Sequence, residues 1–151
     1  MKKPLKYEYS FFPVTLGEHI RKKRIEDGLL QRDVAAIIGV IEQSITNWEN
    51  GRSQPQLQNY PAIIEFLNDY PFDHAIDTIE GKIKQIRYCK GYSFDVFGAV
   101  LGVHGTTVNA WEHGEHAPSA YYKALIKRMW FDLPYIKKYP IHEAYERNDT
   151  V

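Results

Sequence analysis

Apolar side chains along this chain recur mostly at three- and four-residue spacing, the period of a helix with one inward face, and the pattern predicts an all-α protein. Leu16, Ile20 and Arg24 share one face of a first helix. Thr15 followed by Glu18 reads as a capping box at its start, Val14 is placed to staple onto the first turn, and Gly28 ends it. A second helix from about Gln31 to Ile38 turns Val34, Ala35 and Ile38 inward and stops at Gly39; a third, from about Glu42 to Asn50, buries Ile45 and Trp48 and stops at Gly51. Asn59, Tyr60 and Pro61 open a last helix with Ile63, Ile64, Phe66 and Leu67 on its inner face.

The same string occurs twice. Residues 16–67 align with 79–130 without a gap, with identities at Ile20/Ile83, Arg24/Arg87, Gly28/Gly91, Ala36/Ala99, Gly39/Gly102, Val40/Val103, Trp48/Trp111, Glu49/Glu112, Gly51/Gly114, Pro55/Pro118 and Ile63/Ile126. The second copy therefore predicts helices at about 79–90, 94–101, 105–113 and 120–131, the last with Ser119 as its cap. The expected organisation is two tandem small helical bundles: an N-terminal arm over 1–14, a first domain over 15–68, an aperiodic linker over 69–77, a second domain over 78–131 and a C-terminal tail from 132 to 151.

Composition narrows the class. No stretch approaches the roughly 18 apolar residues of a membrane span, and the start has lysines with no apolar core behind them, so neither a membrane helix nor a signal peptide is expected. A lone cysteine, Cys89, forms no intrachain disulfide and suits a reducing compartment, the cytoplasm. Nineteen basic side chains balance nineteen acidic ones, which argues against a nucleic-acid binder on net charge alone. Position matters more than the sum: Lys2, Lys3, Lys6, Arg21, Lys22, Lys23 and Arg24 face only Glu8 and Glu18 in the first part of the chain.

A helix, a tight turn at Gly39 and a second helix with outward polar residues form a helix-turn-helix. The strings GLLQRDVAAIIGVIEQSITNWENGRSQP and GYSFDVFGAVLGVHGTTVNAWEHGEHAP both resemble the phage-repressor (Xre, lambda-repressor-like) helix-turn-helix family. The first is the better match, through Leu29, Gln31 and Ala35, the Gly39-Val40 turn, Gln43-Ser44-Ile45 and Trp48-Glu49-Asn50-Gly51. The resemblance implies that Glu42, Gln43, Thr46 and Asn47 read base edges in the major groove. It implies phosphate contacts from Gln31, Asn50 and Arg52, with Ser44 of mixed structural and contacting role, and the start of the second helix adds its dipole. It also implies partly buried ion pairs, Arg24 with Glu49 and Arg87 with Glu112, tying first helix to third. Trp48 and Trp111 fall on the apolar face and are expected in the core.

In the second copy Phe94 replaces Gln31, Gly105 and Ala110 replace Glu42 and Asn47, and Glu115 replaces Arg52. Thr106, Thr107 and Asn109 remain as weaker DNA candidates, so this domain is expected to bind DNA weakly or to serve in pairing. His104, His113 and His116 cluster without a completing cysteine or carboxylate set, and His142-Glu143 lacks the second histidine of a zinc-protease string because Glu146 stands there, so no metal is expected. No nucleophile and base, phosphate loop or ligand cluster marks an enzyme, and no cofactor or small-molecule ligand is implied. The expected function is a sequence-specific regulator of transcription that binds double-stranded DNA. The competing reading is a protein-interaction or antitoxin-like module, in which Tyr7, Tyr9, Phe11 and Phe12 or Trp130, Phe131, Tyr135 and Tyr139 bury one another or a second subunit of a homodimer.

Overall fold

A computed structural model describes residues 12–134. The chain divides between Pro71 and Phe72 into two compact units, and all regular structure among the described residues is helical. Lys2, Lys3, Lys6, Tyr7, Tyr9 and Phe11 at one end, and Tyr135, Tyr139, His142, Glu143 and Glu146 at the other, lie outside them.

In the first unit α1 spans Leu16–Glu26, α2 Gln31–Ile38, α3 Glu42–Glu49 and α4 Tyr60–Leu67, the last preceded by a 3₁₀ turn at Leu57–Asn59. The capping box at the head of α1 is complete: Glu18 N–H donates to Thr15 Oγ1 at 3.1 Å, and the Glu18 carboxylate accepts from the N–H groups of Thr15 at 3.1 Å and Val14 at 2.7 Å. Those two backbone donors hold the Glu18 carboxyl below its ordinary range. The expected Val14 staple is absent, because that side chain is 82% exposed; the chain's entry is fixed by the carboxylate instead. Between α2 and α3 Gly39 takes φ +87°, a conformation that side chains with a Cβ rarely adopt. There the N–H groups of Gly39 and Val40 both return to the Ala35 carbonyl.

The core of this unit is Ile20, Val34, Ala35, Ile38, Ile45, Trp48 and Ile63, edged by Leu16, Leu29, Val40, Ala62, Phe66 and Leu67. Full burial of a side chain such as isoleucine stabilises by about 1.5–3 kcal/mol. That tertiary term sustains α2, α3 and α4, each eight residues long, which as isolated helices would be too short to persist.

In the second unit α5 spans Ile79–Lys90, α6 Phe94–Leu101, α7 Gly105–Glu112 and α8 Ala120–Phe131. Thr78 and Ser93 cap α5 and α6 by accepting the N–H groups of Gly81 and Val96, each at 3.1 Å. Ser119 occupies the cap position of α8 without a side-chain hydrogen bond. The stretch before α5, aperiodic in sequence, packs on its own unit: Phe72 meets Tyr88 edge-on at 4.8 Å. Ala75 C=O approaches Gly81 so closely that a Cβ there would collide with it.

The longer α8 carries Trp130 inward, 2% exposed. Its indole N–H donates to Gln85 Oε1 at 2.8 Å, and the Lys82 ammonium lies 4.7 Å from the ring centre while donating to Asp77 C=O. The sequence left Trp130 to bury itself among its neighbours or against a second subunit; it fills the interior of its own unit, and Phe131 beside it is half-buried. Cys89 is also interior, and burial pushes its thiol up to about 12, far from the range of a reactive thiolate. No described helix is long and apolar enough to cross a membrane.

Candidate nucleic-acid interface

The outward side of α3 is set by what its inward side buries. Ile45, Trp48 and Glu49 face the core, which turns Glu42, Gln43, Thr46 and Asn47 away from it. Glu42 and Gln43 are exposed, while Ser44, Thr46 and Asn47 are half-buried. Gln43 Nε2 donates to Asn47 Oδ1 at 3.0 Å, one turn along, so these two carboxamides stand side by side. Asn50 and Arg52, in and after the turn that closes α3, are exposed.

Behind this face runs a polar network joining three helices. Arg24 Nε on α1 donates to Glu49 Oε1 at 2.7 Å, and its Nη1 donates to Leu29 C=O at 3.1 Å. Gln31 Nε2, at the start of α2, donates to Glu49 Oε2 at 2.5 Å; Thr46 Oγ1 donates back to Gln31 Oε1 at 2.7 Å. Gln31 and Thr46, expected at a phosphate and a base respectively, are therefore hydrogen-bonded to each other. Each keeps solvent access.

The head of α2 is left open. Leu30 occupies the cap position and its side chain has no acceptor; the Leu30 N–H is satisfied by Asp33 Oδ2 at 2.8 Å, and the Asp33 N–H by Leu30 C=O at 3.0 Å. The N–H groups of Gln31 and Arg32 consequently lack a capping side chain, beside an Asp33 carboxylate in the same turn. Arg32, in the same turn, is exposed. Sequence reasoning did not single it out, nor Ile41, which is 71% exposed at the head of α3. The repeat held a signal for Ile41: its counterpart is His104, and an apolar residue that exchanges with histidine is seldom core.

A model of the helix-turn-helix family matches residues 20–74, just over a third of the chain. The first unit carries a helix-turn-helix domain. Neither the curated proteins nor the solved structures gave a match. The paired helices of that arrangement are α2 and α3, joined by the turn at Gly39.

In the second unit the Arg87–Glu112 pair repeats Arg24–Glu49 but is bidentate, with contacts of 3.1 and 3.0 Å. The cause is Phe94. Its ring lies 3.9 Å from the Arg87 guanidinium carbon, and with no carboxamide at that position both Glu112 oxygens go to arginine. Thr106 and Asn109 are exposed and Thr107 half-buried on α7. Gly105 opens that helix against Asp95, where a Cβ would lie 2.8 Å from the Asp95 Cα and N. Among the described residues no group of three or more His, Cys, Asp and Glu side chains is placed to hold a metal ion.

Proposed function

We propose that the protein is a sequence-specific transcriptional regulator of double-stranded DNA, acting in the cytoplasm, whose first domain reads the major groove through α3. The observation that carries the proposal is the pairing of two features in one helix-turn-helix: an uncapped α2 N-terminus bearing Gln31 and Arg32, and beside it the polar face of Glu42, Gln43, Thr46 and Asn47 on α3. The first suits a phosphate and fixes register; the second carries donors and acceptors for base edges. Ser44, Asn50 and Arg52 extend the phosphate track on either side.

The repeat in sequence and helix order supports a second copy of the same domain over 78–131. It is the weaker DNA partner: Ser93 caps α6, Phe94 replaces the carboxamide, and only Thr106, Thr107 and Asn109 remain as short polar groups. Pairing of two chains, so that two first domains meet two half-sites, supplies the second reading helix that such regulators need. The protein-interaction reading draws on Val96 and Val100, 47% and 51% exposed one turn apart on α6.

Selection of bound duplexes from a random pool at fixed salt, followed by titration of variants, tests the proposal. Gln43→Ala should weaken binding to the selected site by about 1–3 kcal/mol and relax preference at one base pair, whereas Thr106→Ala should leave it nearly unchanged. Specific binding that survives Gln43→Ala and disappears with Thr106→Ala would reverse the roles of the two domains.

A further inference from the structure

The polar network behind α3 fixes the hydrogen-bonding polarity of a reading residue. Glu49 carries a carboxylate, which only accepts. Facing it at 2.5 Å, Gln31 must present its NH₂ end, which settles an amide orientation that is otherwise ambiguous. The Gln31 carbonyl oxygen is thereby turned to Thr46, and at 2.7 Å from an acceptor the Thr46 hydroxyl must donate. A hydroxyl has one proton. The Glu42 carbonyl also lies 3.3 Å from Thr46 Oγ1, the longer of the two contacts and again to an acceptor. On its open side, Thr46 is left with lone pairs only.

We propose that Thr46 is an obligate acceptor in the major groove, held so through Arg24, Glu49 and Gln31, and that it takes a hydrogen bond from an exocyclic amino group, adenine N6 or cytosine N4. It discriminates against guanine O6 and thymine O4, which are acceptors themselves. The remaining Gln31 Nε2 hydrogen stays available to a phosphate oxygen, so one carboxamide positions the duplex and sets the polarity of its reader. This inference rests on the proposed function. It goes further by naming the group recognised and by making Gln31 a positioning residue for Thr46.

The test is a set of binding titrations on the selected duplex with single-atom base analogues. Thr46→Val, which keeps the shape and removes the hydroxyl, should weaken binding roughly 5- to 100-fold and identify one base pair whose preference is lost. At that pair, an analogue without the amino group (purine for adenine, 2-pyrimidinone for cytosine) should cost the unaltered protein a similar factor and the Thr46→Val protein nothing. An analogue lacking the opposing O6 or O4 should cost both proteins alike. Thr46→Ser should retain the amino coupling, which shows that the hydroxyl and not the fold is being read. Gln31→Leu leaves the Thr46 proton only the longer contact to the Glu42 carbonyl at 3.3 Å and should transfer part of the coupling to the carbonyl analogue. Coupling of Thr46 to O6 or O4 in the unaltered protein, a Thr46→Val protein with unchanged preferences, or amino coupling undiminished by Gln31→Leu would each overturn the inference while leaving DNA binding standing. A random pool that yields no preferred sequence would instead remove the proposed function itself.

Discussion

Replacing Arg24 and Arg87 by methionine, one at a time, should destabilise the two units unequally. Both arginines serve a buried carboxylate: the Glu49 and Glu112 side chains are 2% and 7% exposed, and the Arg24 and Arg87 side chains 17% and 8%. Breaking such a pair from one side leaves an uncompensated charge, at a cost of about 3–5 kcal/mol. The two stranded carboxylates differ in what remains to them. With Arg24 gone, Glu49 keeps the Gln31 Nε2 donor on its second oxygen, which places Arg24→Met near 3 kcal/mol, the low end of that range. With Arg87 gone, Glu112 loses both of its arginine contacts; the loss of a donor at 3.1 Å is common to the two variants, to the Tyr92 carbonyl here and to the Leu29 carbonyl in Arg24→Met. Phe94 also loses the cation against its ring. Arg87→Met therefore belongs near the upper end, about 5 kcal/mol. Hydrogen exchange read by mass spectrometry across a urea series resolves each unit through peptides from α1 and α3 or from α5 and α7. Adding Glu112→Leu to Arg87→Met should recover much of the loss, since an apolar pair replaces a stranded charge. Equal losses in the two units, or a larger one for Arg24, would refute the role given to Gln31 as a second support of Glu49.

Two further outcomes follow from packing and from titration. At Gly98 an added Cβ would lie 2.6 Å from Val103 O and 2.8 Å from Gly105 N, so Gly98→Ala should loosen α6 against α7 and cost about 1–3 kcal/mol in the same exchange measurement, although alanine stands at the matching position 35 of the first unit; native-like protection of α7 in that variant would be a failure. Burial lowers the pKa of both His19 and His74 below the ordinary 6.5, so the unfolded chain takes up these protons first as pH falls. Their contribution to stability is present above about 6.5 and is lost as pH drops through the folded values, and the lowered Glu18 carboxyl adds its own loss at lower pH. Thermal melts between about pH 7.5 and pH 5 should show this decline, reduced by His19→Gln and His74→Gln; a slope unmoved by both variants would contradict it.

The helices were legible because local chemistry marks their ends: Thr15 with Glu18 at one start, and left-handed glycines at 28, 39, 91 and 102 after the stops. Residues buried by periodicity alone, such as Ile20, Ile45 and Trp48, could be placed from the pattern. Side-chain partners were less accessible. Gln31 meets Glu49 and Thr46 across 18 and 15 residues, separations that belong to no helical period. The interior set of Lys82, Gln85 and Trp130 was hidden for a related reason. Its counterparts in the first copy are His19, Lys22 and Leu67, so the repeat gave no hint that a lysine and a glutamine would line a core.

The differences between the two units point one way when taken as a set. At the head of α2 a leucine leaves the helix amides uncapped, whereas at the head of α6 Ser93 satisfies one of them. Gln31 ties Glu49 to Thr46; Phe94 closes over Arg87 and gives Glu112 wholly to arginine. At Glu42 a side chain stands at the open end of α3, while Gly98 and Gly105 let α6 and α7 approach so closely that no Cβ fits. A single exchange, Phe94→Gln, would restore a carboxamide without uncapping α6 or reopening the α6–α7 seam. The polar network behind α3 thus goes with three linked features, an open amide terminus, a bridging carboxamide and a spacing that admits side chains, and the second unit has replaced all three with contacts that stabilise its own interior.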